Sequence, residues 1–300
     1  SDLGAIFDEE FNVIHKVISA EDIEKDTQLI NKLRGSKYVQ SNMENCYIEI
    51  KKLLLEKKLV CMVGTPCQIA GLKGYLGREY DNLVTVDLVC HGTPSPKLWK
   101  KYLLYQEKKN NSKIREVIFR NKTYGYHSGT MKIVFDNKKQ YFGSARIDFM
   151  LKSFFSEISS RPSCYNCKFK TKERKSDFTI YDCWHISELV NNCKDDDCGY
   201  TNLMVHTMKG KEILNNIEEL YEIYEVDTDR AIDFDGIMVL NNAKSHKYRN
   251  EFYVELEKNG IEKSVMKFIP ITKKDYMVEI IKKIFYKIGA LKTIKKYLGG

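Results

Sequence analysis

Apolar residues recur along this chain with two periods, and the switches between the periods outline its elements. "LGAIFDEEFNVIHKVISAEDIEK", residues 3–25, predicts a strand, a turn at Asp8-Glu9-Glu10, a second strand and a helix capped by Ser19. After the polar loop "RGSKYVQS", residues 34–41, "CYIEIKKLLLEKK" carries apolar residues at helical spacing and a lysine-rich far face. "KLVCMVG", a helix from Cys67 to about Leu76 and then "NLVTVDLVC" predict a strand–helix–strand unit, which makes the two strands parallel neighbours. "PSPKLWKKYLLYQEKK" is amphipathic at helical period. The alternating runs "IREVIFRNK", "GTMKIVFDN" and "KQYFGSARI" then predict an antiparallel meander laid beside the parallel core. "DFMLKSFFSEIS" predicts a short helix leading into "RPSCYNCKFK". "SDFTIYDCW" and "GYTNLMVHTMKG" read as strands and "GKEILNNIEEL" as a helix.

The tail differs. Over residues 276–298, Met277, Ile280, Ile281, Ile284, Ile288, Leu291, Ile294 and Leu298 share one helical face and lysines occupy much of the remainder. Such a basic amphipathic helix covers its apolar face against its own protein, a partner or a membrane surface. The expected class is therefore α/β (α+β), a parallel β-α-β core with an added antiparallel meander and a C-terminal basic amphipathic helix. Residues 1–260 are expected to form the main domain and 261–300 the helical tail.

Composition narrows the function classes. At 43% hydrophobic and 30% charged residues the chain resembles an ordinary globular protein, and 300 residues bury a sizeable core without disulfides. No apolar run approaches bilayer length and no secretory pattern is visible, so the expected location is cytoplasmic, with peripheral contact at the inner membrane face through the tail. The net charge of +8 comes from scattered lysines, without a helix-turn-helix, zinc-finger or RNP-like pattern. That argues against a nucleic-acid partner and suits an anionic small molecule, an acidic electron-transfer partner or an anionic membrane.

Nine cysteines in such a chain point to metal or redox chemistry rather than a disulfide framework. Cys46 and Cys61 lie inside apolar runs and read as small buried hydrophobes. Cys67 and Cys90 are different, since both fall just past the carboxyl ends of the predicted parallel strands, where open α/β sheets hold their ligands. The helix start behind Cys67 favours negative charge there. Cys164 and Cys167 form a C-x-x-C that follows a helix and precedes a lysine-rich loop, unlike a thioredoxin motif. Cys193 and Cys198, in "NNCKDDDCGY", are spaced too widely for a zinc knuckle. If the meander docks the C-x-x-C onto the sheet edge, four thiols converge, with Arg161, Lys168, Lys170 and Lys172 to offset cluster charge. Ligand count alone leaves an iron–sulfur cluster and zinc equally open.

"GTPCQIAGLKGYL", "DLVCHGTPSPKLWKKYL" and "RPSCYNCKFKTKERKSDFTIYDCW" resemble the signature blocks of the coenzyme F420 hydrogenase/dehydrogenase beta-subunit family, and "LRGSKYVQS" and "SHKYRNEFYVEL" resemble further blocks in the same order. The likeness runs roughly from residue 3 to residue 256. It implies an iron–sulfur flavoprotein oxidoreductase that passes electrons between a [4Fe–4S] cluster, FAD and a two-electron carrier or substrate. Cys67, Cys90, Cys164 and Cys167 match the cluster ligands. Arg34, Gly35, Ser36, Lys37 and Tyr38 match a flavin- or substrate-binding block, Thr65 and Gln68 flank a ligand cysteine and are expected near the flavin, and His91 is the candidate proton relay.

The implied partners are an electron donor such as ferredoxin or a fused ferredoxin-like module, and an anionic small-molecule substrate. The lysine- and asparagine-rich composition suggests a bacterial source and argues against coenzyme F420 itself. Bacterial relatives are often linked to surface-polysaccharide biosynthesis. The chain departs from the family pattern at Tyr181-Asp182-Cys183-Trp184-His185, where both glycines of a Gly-Asp-x-Trp-Gly block are replaced, and in starting without the glycine-rich turn that carries part of the flavin phosphate site. The runner-up reading is a non-catalytic module of the same fold, zinc-bound or metal-free, in a polysaccharide assembly.

Overall fold

The predicted opening hairpin forms: β1 (Asp2–Phe7) pairs antiparallel with β2 (Val13–Ile18). A computed structural model describes residues 1–291. Ser19 caps α1 (Ala20–Lys25), its hydroxyl accepting from Asp22 N at 3.1 Å while Asp22 Oδ2 accepts from Ser19 N at 2.9 Å. After α2 (Leu29–Leu33) and the loop that follows, α3 (Cys46–Leu55) takes the predicted helical run. β3 (Val60–Gly64), α4 (Pro66–Leu76) and β4 (Leu83–Leu88) build the strand–helix–strand unit, with β3 and β4 parallel and Gly64 opposite Asp87. Pro66 opens α4 where no backbone donor is needed, and Gly77 closes it in the left-handed conformation, φ +69°.

Downstream come α5 (Pro96–Asn110), then β5 (Ile114–Asn121), β6 (Thr130–Phe135) and β7 (Gln140–Ser144) as the predicted antiparallel meander, and α6 (Phe149–Phe155). A 3-10 turn over Pro162–Asn166 carries the first cysteine of the C-x-x-C. The chain continues through β8 (Phe178–Cys183), α7 (Ile186–Leu189), β9 (Tyr200–Val205), α8 (Met208–Ile217), α9 (Thr228–Asp235) and α10 (Ile237–Leu240). Then come α11 (Arg249–Phe268), interrupted at Gly260 (φ +81°), and α12 (Lys273–Lys287). Ile294 and Leu298 of the predicted tail lie outside the described residues.

The elements sort into two compact units. The first holds residues 1–34, 41–91 and 166–242; the second holds 35–40, 92–165 and 243 onward. The first unit is a mixed α/β layer with the strand order β2-β1-β3-β4-β8-β9. Its four central strands are mutually parallel, and antiparallel β2 and β9 close the edges. Leu3, Ile50, Leu54, Val60, Met62, Ile69 and Leu72 pack α3 and α4 onto this sheet. Cys46 belongs to the same core, and burial pushes its thiol up to about 11, as it does for Cys61. Cys46 acts as a small buried hydrophobe, as expected, whereas Cys61 on β3 is only partly buried.

The second unit keeps the meander as its own three-stranded sheet, β5-β6-β7, rather than as an extension of the parallel one. Trp99 and Tyr102 of α5 are fully buried in its core, with Trp99 against Phe119 at 4.9 Å between ring centres. Asp148 is buried at the start of α6. It accepts from Leu151 N at 2.8 Å, Tyr102 Oη at 2.5 Å and Tyr141 Oη at 3.1 Å.

Burial pushes the Asp148 carboxyl up to about 6, against the pull of those donors. A carboxyl raised on folding is best tolerated when protonated, so its contribution is present in acid and is lost as pH rises from its ordinary 3.8 through about 6. Asp148→Asn keeps the helix cap and cannot ionise. Urea unfolding of both proteins should therefore find the variant gaining on the parent, by on the order of 2 kcal/mol, between about pH 4 and pH 7. A pH-independent difference would contradict this assignment.

Candidate functional site

Cys67 and Cys90 stand where the strand–helix–strand unit was expected to put them. β3 ends at Gly64, Thr65 caps α4, and Cys67 occupies its first turn, exposed. Thr65 Oγ1 lies 3.2 Å from Cys67 Sγ. Gln68 braces this turn: its Oε1 accepts from Thr65 N at 2.9 Å and Thr65 Oγ1 at 3.1 Å. Its amide nitrogen donates to Ser41 Oγ at 2.8 Å and contacts Met43 Sδ at 3.1 Å. Every polar group of the Gln68 side chain is thus engaged in holding the turn. Ser41 also meets His15 Nδ1 at 2.8 Å, so β2 is tied into the same loop cluster.

Cys90 follows β4 on the adjoining strand, partly buried, and partly buried His91 is its neighbour. Lys170, three residues beyond the C-x-x-C, donates its ammonium to the carbonyl of Cys90 and, at 2.7 Å, to that of Met238. Cys167 N donates to Asn242 Oδ1 at 3.0 Å. Within the first unit, therefore, the segment leaving the C-x-x-C is pinned to the Cys90 loop by a lysine that satisfies the loop's carbonyl.

A separate tie lies within the second unit. Thr93, three residues after Cys90, accepts through its carbonyl from Arg161 N at 3.0 Å, and its hydroxyl lies 3.8 Å from Cys164 Sγ. Pro94 and Ser160 form an antiparallel bridge beside it. Gly92 is required at this crossing for two reasons. Its φ is +106°, and a Cβ there would lie 2.8 Å from Ser160 Oγ. The stretch after Cys90 and the stretch around Cys164 are thus clamped together by backbone bonds that depend on a glycine.

None of the four cysteines is in a disulfide. Among the described residues no three His, Cys, Asp or Glu side chains, as placed, are grouped closely enough to hold a metal ion. In kind each of the four suits thiolate ligation: none is in a disulfide and none is fully buried, Lys170 donates to the Cys90 carbonyl, and the hydroxyls of Thr65 and Thr93 lie beside Cys67 and Cys164. Of the expected cations, Lys170 serves the Cys90 carbonyl and Lys172 pairs with Asp229. Arg161 donates to Ser163 Oγ at 3.2 Å, and Lys168 is exposed.

The segment 34–38 divides between the units. Arg34 ends the first stretch of the first unit, and Gly35, Ser36, Lys37 and Tyr38 run through the second. Gly35 takes φ +80°, a conformation that favours glycine. Tyr38, half-buried, stacks on Phe154 at 4.5 Å with Phe119 and Phe155 edge-on. Lys37 is partly buried, its ammonium donates to Gly35 O at 3.2 Å, and burial holds it down to about 8.

Two features escaped sequence reasoning. His185 Nδ1 contacts Asp235 Oδ1 at 2.7 Å, and Asp235 Oδ2 accepts from His185 N at 3.3 Å. The residue that replaces a family glycine is therefore held by a carboxylate fifty positions away, and local spacing gives no hint of it. The second is a buried polar seam between β4, β8 and β9. Asp87 accepts from Ser176 at 2.9 Å and Thr179 at 2.7 Å, Thr179 Oγ1 lies 2.8 Å from His206 Nε2, and Asp177 accepts from Thr85 and Thr207. Burial raises the Asp87 carboxyl and lowers the His206 imidazole, which favours the neutral form of each.

A chain of a xenon-derivatised F420-reducing [NiFe] hydrogenase complex from Methanosarcina barkeri aligns over 87% of this chain and 81% of its own length, at 15% identity and a TM-score of 0.45. No curated protein matches. The family model that describes the C terminus of the coenzyme F420 hydrogenase/dehydrogenase beta subunit matches residues 57–230, a span that includes α4, β4, the meander, the C-x-x-C and β8. With more than half of its length matched, the chain belongs to the coenzyme F420 hydrogenase/dehydrogenase beta-subunit family.

Proposed function

We propose that this chain is an iron–sulfur flavoprotein subunit of an oxidoreductase, with Cys67, Cys90, Cys164 and Cys167 as ligands of a [4Fe–4S] cluster and FAD as its second cofactor. One observation carries the reading. Cys67 and Cys90 lie just past the carboxyl ends of adjoining parallel strands, and within the same unit Lys170, from the segment that leaves the C-x-x-C, donates to the Cys90 carbonyl. Open α/β sheets hold ligands at that edge. When bound, a cluster supplies one-electron steps and a flavin supplies two-electron hydride chemistry.

The chain's own groups do the rest. Lys170 fixes the Cys90 loop, and Gln68 and Thr65 fix the turn of Cys67. Arg161 and Lys168, flanking the C-x-x-C in sequence, offset negative charge. Residues 34–38 offer an arginine, a lysine and a flexible glycine to a phosphate or carboxylate, and His91 moves a proton at its ring nitrogen. In this reading residues 1–260 act as the redox domain and 261–300 as an accessory tail. The electron donor is a ferredoxin or ferredoxin-like module, and the substrate is an anionic small molecule of surface-polysaccharide metabolism in the cytoplasm.

The flavin half is tested by titrating FAD into the chain reconstituted with iron and sulfide under anaerobic conditions. Saturable quenching of flavin fluorescence, weakened severalfold in Arg34→Ala/Lys37→Ala, is the expected result. Unquenched FAD, or a double variant that binds like the parent, would contradict the assignment of that loop.

A further inference from the structure

Helix α12 docks on its own unit by its polar side. Glu279 is its one fully buried residue, accepting from Ser144 Oγ at 2.7 Å and pairing with Lys282 at 3.0 Å. Lys283 donates to Phe142 O at 3.2 Å, and Tyr286 packs edge-on against Tyr124 at 4.9 Å. At about 100° per residue, Met277, Ile281, Ile284 and Ile288 fall on the side away from Glu279, with Ile280 at their margin. All five are exposed: Met277 59%, Ile280 57%, Ile281 47%, Ile284 52% and Ile288 66%. A surface helix ordinarily turns such a stripe inward; this one turns it to solvent.

Charge selects what covers it. Lys273, Lys274 and Lys287 are exposed and flank the stripe, and the sequence adds Lys292, Lys295 and Lys296 beyond it. Among the described residues no helix is long and apolar enough to cross a membrane. An apolar stripe with cations along its margins is the pattern of a helix lying in the interface plane of an anionic bilayer.

We propose that α12 binds an anionic membrane surface, with Met277, Ile280, Ile281, Ile284 and Ile288 entering the acyl region and Lys273, Lys274 and Lys287 meeting headgroup phosphates. The proposal stands on the outward stripe and its cations and does not draw on the redox reading.

The test is co-sedimentation of the full chain with phosphatidylcholine vesicles, with and without about 30 mol% phosphatidylglycerol. The parent should bind the anionic vesicles and bind neutral ones at least roughly tenfold more weakly. Ile281→Asn/Ile284→Asn changes two exposed side chains, so its circular dichroism should match the parent's while anionic-vesicle binding falls by roughly tenfold or more. A parent that ignores anionic vesicles, or a folded double variant that binds them equally well, overturns the proposal. So does a parent that self-associates through this face, as a dimer in sedimentation velocity that the double variant abolishes, while failing to bind vesicles.

Discussion

Asp177→Ala is expected to cost about 3–5 kcal/mol of stability at neutral pH, because it strands several buried donors at once. Asp177 is 1% exposed, and its Oδ2 accepts from Thr85 N and Thr85 Oγ1, both at 2.8 Å. Its Oδ1 accepts from Thr207 Oγ1 at 2.7 Å and lies 3.6 Å from Lys209 Nζ. One carboxylate thus joins β4, the start of β8 and the turn from β9 into α8. Burial pushes that carboxyl up, but the donors from Thr207 and Thr85 outweigh it and hold it below its ordinary 3.8.

A carboxyl lowered on folding contributes stability above its unfolded value and loses it as pH falls through the folded one. The gap between parent and variant should therefore be full at pH 7 and shrink below about pH 4. Urea midpoints at several pH values measure it. A difference under about 1 kcal/mol at neutral pH would mean that neighbouring groups or water replace the carboxylate.

The second large effect falls on the thiols. Cys67→Ser, Cys90→Ser, Cys164→Ser and Cys167→Ser should each leave the reconstituted chain with a small fraction of the parent's iron, on the order of a tenth, because a cluster that loses one of four thiolates is poorly retained. Cys46→Ser and Cys61→Ser should keep it, since burial pushes both of those thiols up to about 11 and Cys46 lies in the apolar core. Metal analysis of the six variants separates ligands from bystanders. Equal iron in all six would detach the cysteines from the metal altogether.

Much of the fold was legible because its signals are local. The opening hairpin, the Ser19 cap, the strand–helix–strand unit and the meander each follow from periodicity or turn chemistry within about thirty residues. The positions of Cys67 and Cys90 followed too, since parallel neighbours put their carboxyl ends at one edge. Long-range pairing was not legible. That β8 joins β4, that β9 closes the sheet, and that the meander stands as a separate sheet depend on partners chosen by the whole chain. Residues 34–38 were read for the chemistry of their side chains, and that Tyr38 stacks on Phe154 was not legible in their spacing. His185 and Asp235 meet across fifty residues. For α12 the periodicity picked the apolar face of Met277, Ile280, Ile281, Ile284 and Ile288, but not the helix end at Lys287, with Gly289 at φ +71° just beyond it, nor that an acid, Glu279, would be the side turned inward.

The most direct measurement of the central claim is the iron content and electron paramagnetic resonance of the parent chain, purified and reconstituted without oxygen and then reduced. The account predicts about four irons per chain, a visible band that bleaches on reduction, and a signal from one paramagnetic cluster that is lost in Cys67→Ser. One zinc per chain, or no bound metal and no signal, would contradict it and leave the four cysteines as parts of a non-redox module.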